Sequence, residues 1–363
     1  LVAAVFAMQP AVAEELTLDT SKSLQTLEAE LVALSAPRGV EAAALGAVTF
    51  LRAIEVTLQE RYRTNAAVGD DFLFFPIPVV RLPVPPNPNP APFEPQLFAN
   101  MFKGVADDMT KARAALDAAD LASDDKLIID VAALWFDVDG NGSRGTGEGI
   151  LDFIGTTLSG MPPSQGGQVE AAREGAIIHF DAADVEWLAA YTHLLSAVSE
   201  VVLAFDPTDV ITDIVNSRRA MVEIRGSQQT DGSFWFGPGD EVWIDAFATV
   251  SGALNRRPEQ ARIAVARDHF LGMIDRNRAF WRLVGAETDN TFEWIPNGSQ
   301  VAALGFRFPA NTGTVWQGVL ADAEAVLKGE LLVPHWRTYP GGGVNVAALV
   351  ADPPAFDIVT WVQ

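Results

Sequence analysis

Cysteine is missing from all 363 residues. That absence excludes disulfide staples, thiolate metal sites, iron–sulfur clusters, thiol catalysis and a lipid-modified cysteine anchor. Lysine is scarce, limited to Lys22, Lys103, Lys111, Lys126 and Lys328, and 25 Lys and Arg face 47 Asp and Glu for a formal charge of −22. A chain so acidic repels phosphate backbones, so nucleic acid is excluded as a partner for a basic face. The four histidines, His179, His193, His269 and His335, stand in no H-x-x-x-H or H-E-x-x-H setting, which removes the zinc-hydrolase helix. No G-x-S-x-G, P-loop or dinucleotide fingerprint occurs. After the N-terminus no stretch reaches the about 18 unbroken apolar residues of a membrane span, so none is expected.

Hydrophobic residues make up 49% of the chain, ample for a core. Residues 1–13 carry no charge, end in Ala11-Val12-Ala13 and are followed at once by Glu14 and Glu15. This small-x-small ending has the form that signal peptidase accepts. The expectation is the remnant of a signal peptide over 1–13 and a periplasmic or secreted bacterial protein. Residues 14–363 are expected to form a single helical domain, with a sub-boundary possible near 85–95.

Helical periodicity dominates, and the fold class expected is mainly α: antiparallel helical hairpins in a bundle or solenoid-like array. Leu24, Leu27, Leu31 and Leu34 recur at helical spacing, with Asp19, Thr20 or Ser21 available as a cap. A second helix is expected over 38–63, and Ala36-Pro37 between the two suggests a hairpin. Seven prolines between Pro76 and Pro90 force an extended, polyproline-like segment. Further helices are expected at 96–120, 125–136, 149–159, 181–205 (capped by Asp181), 207–221, 240–255, 258–284 and 312–330. Strand-like alternation is confined to Val222-Glu-Ile-Arg and the C-terminal Phe356-Asp-Ile-Val-Thr-Trp-Val. His193, beside Leu194 on the 181–205 helix, reads as a satisfied core histidine.

One motif carries chemistry. Residues 137–148 read Asp-Val-Asp-Gly-Asn-Gly-Ser-Arg-Gly-Thr-Gly-Glu. A hard cation takes six to eight oxygens at about 2.3–2.6 Å, and a tightly wound acidic loop can supply them from one segment. The stretch resembles the EF-hand calcium loop, D-x-[DN]-x-[DN]-G-x5-E, in the isolated form of dockerin-type modules. The resemblance covers the loop and its flanks only. It implies Ca2+ held by the side chains of Asp137, Asp139 and Asn141, the Ser143 carbonyl and the carboxylate of Glu148, with Gly142 turning the chain. The flanks, Leu127 to Phe136 and Ile150 to Leu158, are expected to be helices, which would set the loop between two of them. Arg144 departs from the family, whose eighth position is a branched apolar residue that pairs with a second hand. No second loop of this form exists, so the site is expected to be a structural clamp.

Two weaker groups suggest a ligand surface. Glu287, Asp289, Glu293 and Trp294 form an acidic, aromatic run after the 258–284 helix. His335, Trp336 and Arg337 combine an imidazole, a ring and a guanidinium beside three glycines, a set suited to stacking on a ring and clamping an anion. Gln228-Gln-Thr-Asp-Gly-Ser-Phe resembles the Q-x-x-D-G-S-F pattern of α/α-toroid proteins, over about twenty residues and without the recurrence a toroid requires. The expected function is an exported calcium-binding helical protein, a binding or interaction module for a carbohydrate or a peptide or protein ligand. The alternative is a secreted polysaccharide hydrolase or lyase of α/α-barrel type, in which Tyr191, His193, Glu293, His335 and Arg337 would converge.

Overall fold

A computed structural model describes residues 13–65, 82, 84–153, 176–225, 240–305, 307–335 and 342–357. The segment up to residue 12, expected to be a signal-peptide remnant, residues 76–81 and Pro83 of the proline-rich run, the Q-x-x-D-G-S-F segment, Trp336 and Arg337 lie outside these residues. The protein is mainly α. The helices are α1 (Leu24–Val32), α2 (Gly39–Thr64), α3 (Leu97–Asp117), α4 (Ala182–Phe205), α5 (Thr208–Arg225), α6 (Asp240–Leu254), α7 (Gln260–Val284), α8 (Thr312–Lys328) and the short α9 (Val346–Ala351). Strands β1 (Glu15–Thr17), β2 (Lys126–Asp130) and β3 (Ile177–Phe180) form one small sheet, and β4 (Val333–Pro334) pairs with β5 (Gly343–Val344).

Seven of the helices pack in a chain of contacts, α1 on α2, α2 on α3, α3 on α4, α4 on α7, and α7 on α8 and α9, while α5 packs on α6. The leucine stripe of α1 buries Leu24, Leu27 and Leu31 against α2. Ser23, rather than Asp19, Thr20 or Ser21, caps α1 by accepting the Thr26 N–H, because Asp19 is turned onto Ser21. The cap expected at Asp181 is present and is a full capping box with Asp184. Helix α4 has the length and mean hydropathy, 1.5, of a membrane span. Its apolar composition is accounted for by its place between α3 and α7, against which it packs along its length.

Where α2 meets α3 the backbones approach closely at Gly46. A Cβ there would lie 2.6 Å from Leu116 Cδ2 and 3.1 Å from the Ala112 carbonyl. Gly46→Ala is therefore expected to lose about 1–2 kcal/mol by overpacking, read as a lower urea midpoint at unchanged slope. An ordinary helix-propensity gain would instead raise it.

Two expectations are corrected. Residues 126–130 form strand β2 instead of the start of a helix over 125–136, pairing parallel with β1 and antiparallel with β3. Leu127 and Ile129 thereby turn into the core while Lys126, Ile128 and Asp130 face away, a two-residue period that long-range pairing selects. The acidic loop is consequently entered from a strand and not from a helix. Val222-Glu-Ile-Arg, read as a strand, is the last turn of α5. The helix expected at 149–159 is described only over 150–153.

The described part of the proline-rich run and the residues after it pass along the end of α2. Leu82 and Val84 pack on the core, Arg61 donates to the Leu82 carbonyl at 2.7 Å, and Ala91 N–H donates to the Arg63 carbonyl. Arg61 is only 1% exposed, and burial pulls its guanidinium down to about 10, so it stays charged at neutral pH.

Candidate metal centre

The loop 137–148 is held at its neck by its own backbone. Phe136 N–H donates to the Glu148 carbonyl at 2.8 Å, Ile150 N–H donates to the Leu134 carbonyl at 3.0 Å, and Trp135 bridges Gly149. Below the neck, Leu134, Phe136 and Val138 on the incoming side and Ile150, Leu151 and Phe153 on the outgoing side enter the main core. Phe136 and Phe153 meet edge to face at 5.3 Å. Apolar burial thus fixes both ends of an otherwise polar loop. Gly140, Gly142 and Gly147 take positive φ of 73°, 75° and 82°, a region costly for any side chain, and this lets the chain curl back on itself within a few residues.

The curl gathers oxygen. One carboxylate oxygen each from Asp137, Asp139 and Glu148 lie within 4.8 Å of one another. Two oxygens on opposite sides of a calcium ion stand about 4.6–5.2 Å apart, so the three can share one such ion. Asp139 Oδ1 accepts the Asn141 N–H at 3.1 Å, Asn141 Oδ1 accepts the Ser143 N–H at 2.7 Å, and Asp137 Oδ2 accepts the Gly142 N–H at 2.9 Å. Glu148 accepts the Val138 N–H at 2.9 Å and also the Gly145 N–H. Each of these oxygens keeps a second lone pair. Asp139 Oδ2 accepts from Asn141 Nδ2 at 2.7 Å, which leaves Asp137 Oδ1, buried and accepting from no group, in a residue only 4% exposed.

The loop is also tied to α2. Asp137 N–H donates to Glu55 Oε2 at 2.7 Å, and Gln59 Nε2 donates to the Asp137 carbonyl at 2.7 Å. Glu55 is fully buried, pairs with Arg52, and has its carboxyl pushed up by burial. Neither residue was singled out from the sequence. The signal was there: Glu55 sits in the apolar stripe of α2, at helical spacing from Leu51 and Leu58. Arg144, the departure at position eight, folds back to donate to the Ala132 and Ala133 carbonyls at 3.4 and 3.2 Å.

The second acidic group has a different character. Glu287, Asp289 and Glu293 come together with Asp181 and Asp184 at the start of α4 and with Lys126 of β2. Lys126 pairs with Asp181 at 3.3 Å, Gln300 donates to Glu287 at 3.1 Å, and Glu293 accepts the Thr291 N–H at 2.9 Å. A resident ammonium and an amide therefore occupy this junction. Burial first, then Asp181 and Glu293, push Glu287 up to about 7, and burial also raises Glu293 and, strongly, Asp184. Trp294 packs edge to face on Trp187 at 5.8 Å, and Trp187 meets Tyr191 at 4.5 Å. His335 is not part of this junction. It follows β4, whose partner β5 leads into α9, and the end of α9 accepts from Gln260 at the opposite end of α7. His193 faces His269 across the α4–α7 contact.

Comparison of the chain with protein-family models, with curated proteins and with solved structures finds no match. The functional reading rests on the site itself.

Proposed function

We propose that the chain is a calcium-binding protein in which one ion, held by loop 137–148, clamps the loop to the helical core, and that it works as an exported binding or interaction module. The observation that carries this reading is Asp137 Oδ1, a buried carboxylate oxygen with no hydrogen-bond partner, in a residue whose neighbours in space are two further carboxylates. Leaving such an oxygen desolvated and unsatisfied costs about 1–3 kcal/mol or more, and a cation removes that cost. The donors are all oxygen, which suits a hard cation such as calcium and not a thiophilic metal. Asp137, Asp139, Asn141 and Glu148 would supply side-chain oxygens and Ser143 its carbonyl. The ion would neutralise most of the charge of three carboxylates in a protein of net charge −22.

Because Asp137 is bonded to Glu55 and Gln59, binding is expected to be read as stability of the whole α2 region. An isolated loop in an exported protein is expected to bind in the range of about 10⁻⁴–10⁻³ M. At about 5 mM calcium this linkage stabilises by roughly 1–2.5 kcal/mol. Thermal unfolding of the chain in EDTA and in calcium should therefore differ by about 2–6 °C in Tm, and the difference should vanish in Glu148→Gln. A parent that melts identically in both media would refute the calcium clamp.

A further inference from the structure

Helices α4 and α7 run antiparallel and meet through three polar layers spaced one heptad apart. Glu186 accepts from Arg276 at 3.1 Å, His193 Nδ1 lies 3.0 Å from His269 Nδ1, and Glu200 accepts from Arg262 at 2.8 Å. Every step of seven residues forward on α4, from 186 to 193 to 200, is matched by seven back on α7, from 276 to 269 to 262. This is a heptad-spaced seam between two antiparallel helices with a palindromic code: Glu, His, Glu against Arg, His, Arg. Polar residues at seam positions select register. A slip of one heptad would set His193 against an arginine and a glutamate against a histidine, so the code admits one alignment.

The middle layer is partly buried. The backbone of Gly272 underlies the His193 ring, where a Cβ would lie 2.5 Å from Cε1. From α3, Arg113 reaches Thr192 and Ser196 on either side of His193, at 3.3 and 3.5 Å. We propose that the His193–His269 layer is an acid-operated release in the α4–α7 seam. With both rings neutral, one donates its Nδ1–H to the other. Protonation of both removes the acceptor and sets two cations face to face.

Among the described residues no unpaired carboxylate stands ready to compensate. The charges that act on the pair are Arg113 from α3, Arg276 and Asp268 from α7, and Glu200 from α4. Glu200 is paired with Arg262 and Asp268 with Arg267, while Arg276 is shared between Glu186 and Asp117 of α3. The charged contacts that α8 and α9 make with α7 and its start, Glu324 with Arg278 and Asp352 with Arg257, lie elsewhere and act on neither ring. Burial, then Arg113 and His269, bring His193 down to about 3, and burial and Arg113 lower His269 as well. Both folded-state values lie below the unfolded value near 6.5. The contribution of the layer is therefore complete above about pH 6.5 and is lost as the pH falls toward 3.

The test is thermal unfolding of the full chain at pH 7.5 and pH 5.0, beside the double variant His193→Asn/His269→Asn. An asparagine amide can keep a cross-helix hydrogen bond at this depth and does not titrate. The parent is expected to lose at least about 5 °C more than the double variant between the two pH values. Equal losses would overturn the proposal. If the double variant does not fold, the imidazole proton resonances of the parent decide the matter. Two of the four histidines remaining neutral at pH 5 in the folded chain support the layer, and all four titrating near 6.5 overturn it.

Discussion

Replacing Glu55 with alanine is expected to cost about 3–5 kcal/mol of folding free energy, among the largest effects of any single substitution in this chain. Three losses combine. The side chain is fully buried, so its removal leaves a cavity in the middle of α2. The Asp137 N–H loses its acceptor at 2.7 Å in a buried place, which leaves an unsatisfied donor. Arg52, whose side chain is 15% exposed, keeps only Glu28 at 3.5 Å. Glu55→Gln separates these contributions, because its amide oxygen can still accept from Asp137 while the charge is gone; about 1–2 kcal/mol is expected. Urea unfolding gives both values from shifted midpoints at constant slope. Calcium titration gives a further readout: with Asp137 released from α2, the loop should bind more weakly in Glu55→Ala than in Glu55→Gln. An alanine variant that loses less than about 1 kcal/mol would mean that the loop does not depend on α2.

That dependence shows why part of the site escaped a reading of the sequence. The oxygen donors of the loop follow one another over twelve residues, and glycine spacing dictates the turn, so local chemistry is enough to read them. The support is non-local: Glu55 lies 82 residues before Asp137 and Gln59 lies 78 before it. The error at 125–136 has the same origin. Leu127, Val131 and Leu134 stand at helical spacing, yet Leu127, Ile129 and Val131 also alternate, and only β1 and β3, both distant in sequence, decide between the two periods. The long helices were legible because an apolar stripe at helical spacing is a local property. Their alignment was partly legible too. The heptad spacing of Glu186, His193 and Glu200 is mirrored by Arg276, His269 and Arg262 when the two segments run in opposite directions. Read one residue at a time, His193 is merely a satisfied histidine; set against α7, it is the middle of a code.

The junction of Glu287, Glu293, Asp181 and Asp184 predicts a pH dependence of opposite sign to that of the histidine layer. Burial and like charges raise Glu287 to about 7 from an ordinary value of 4.5. A carboxyl whose folded-state pKa lies above its unfolded one binds more protons when folded, so its contribution favours folding at acid pH and is lost as the pH rises from 4.5 through 7. Above pH 7 the ionised group is a burden that Lys126 offsets only in part, because that ammonium is engaged by Asp181. Glu287→Gln is therefore expected to stabilise the protein at pH 8 by about 2–3 kcal/mol and to leave it nearly unchanged at pH 5. The amide oxygen can keep the bond from Gln300, so packing is preserved. Unfolding free energies of parent and variant should diverge as the pH rises from 5 to about 7 and run nearly parallel above it. Curves parallel over the whole range would mean that Glu287 ionises as an ordinary surface carboxylate. Because the histidine layer weakens with falling pH over the same range, a chain carrying Glu287→Gln should respond to acid more steeply than the parent. The junction masks part of the sensitivity of the seam, and removing the one makes the other measurable.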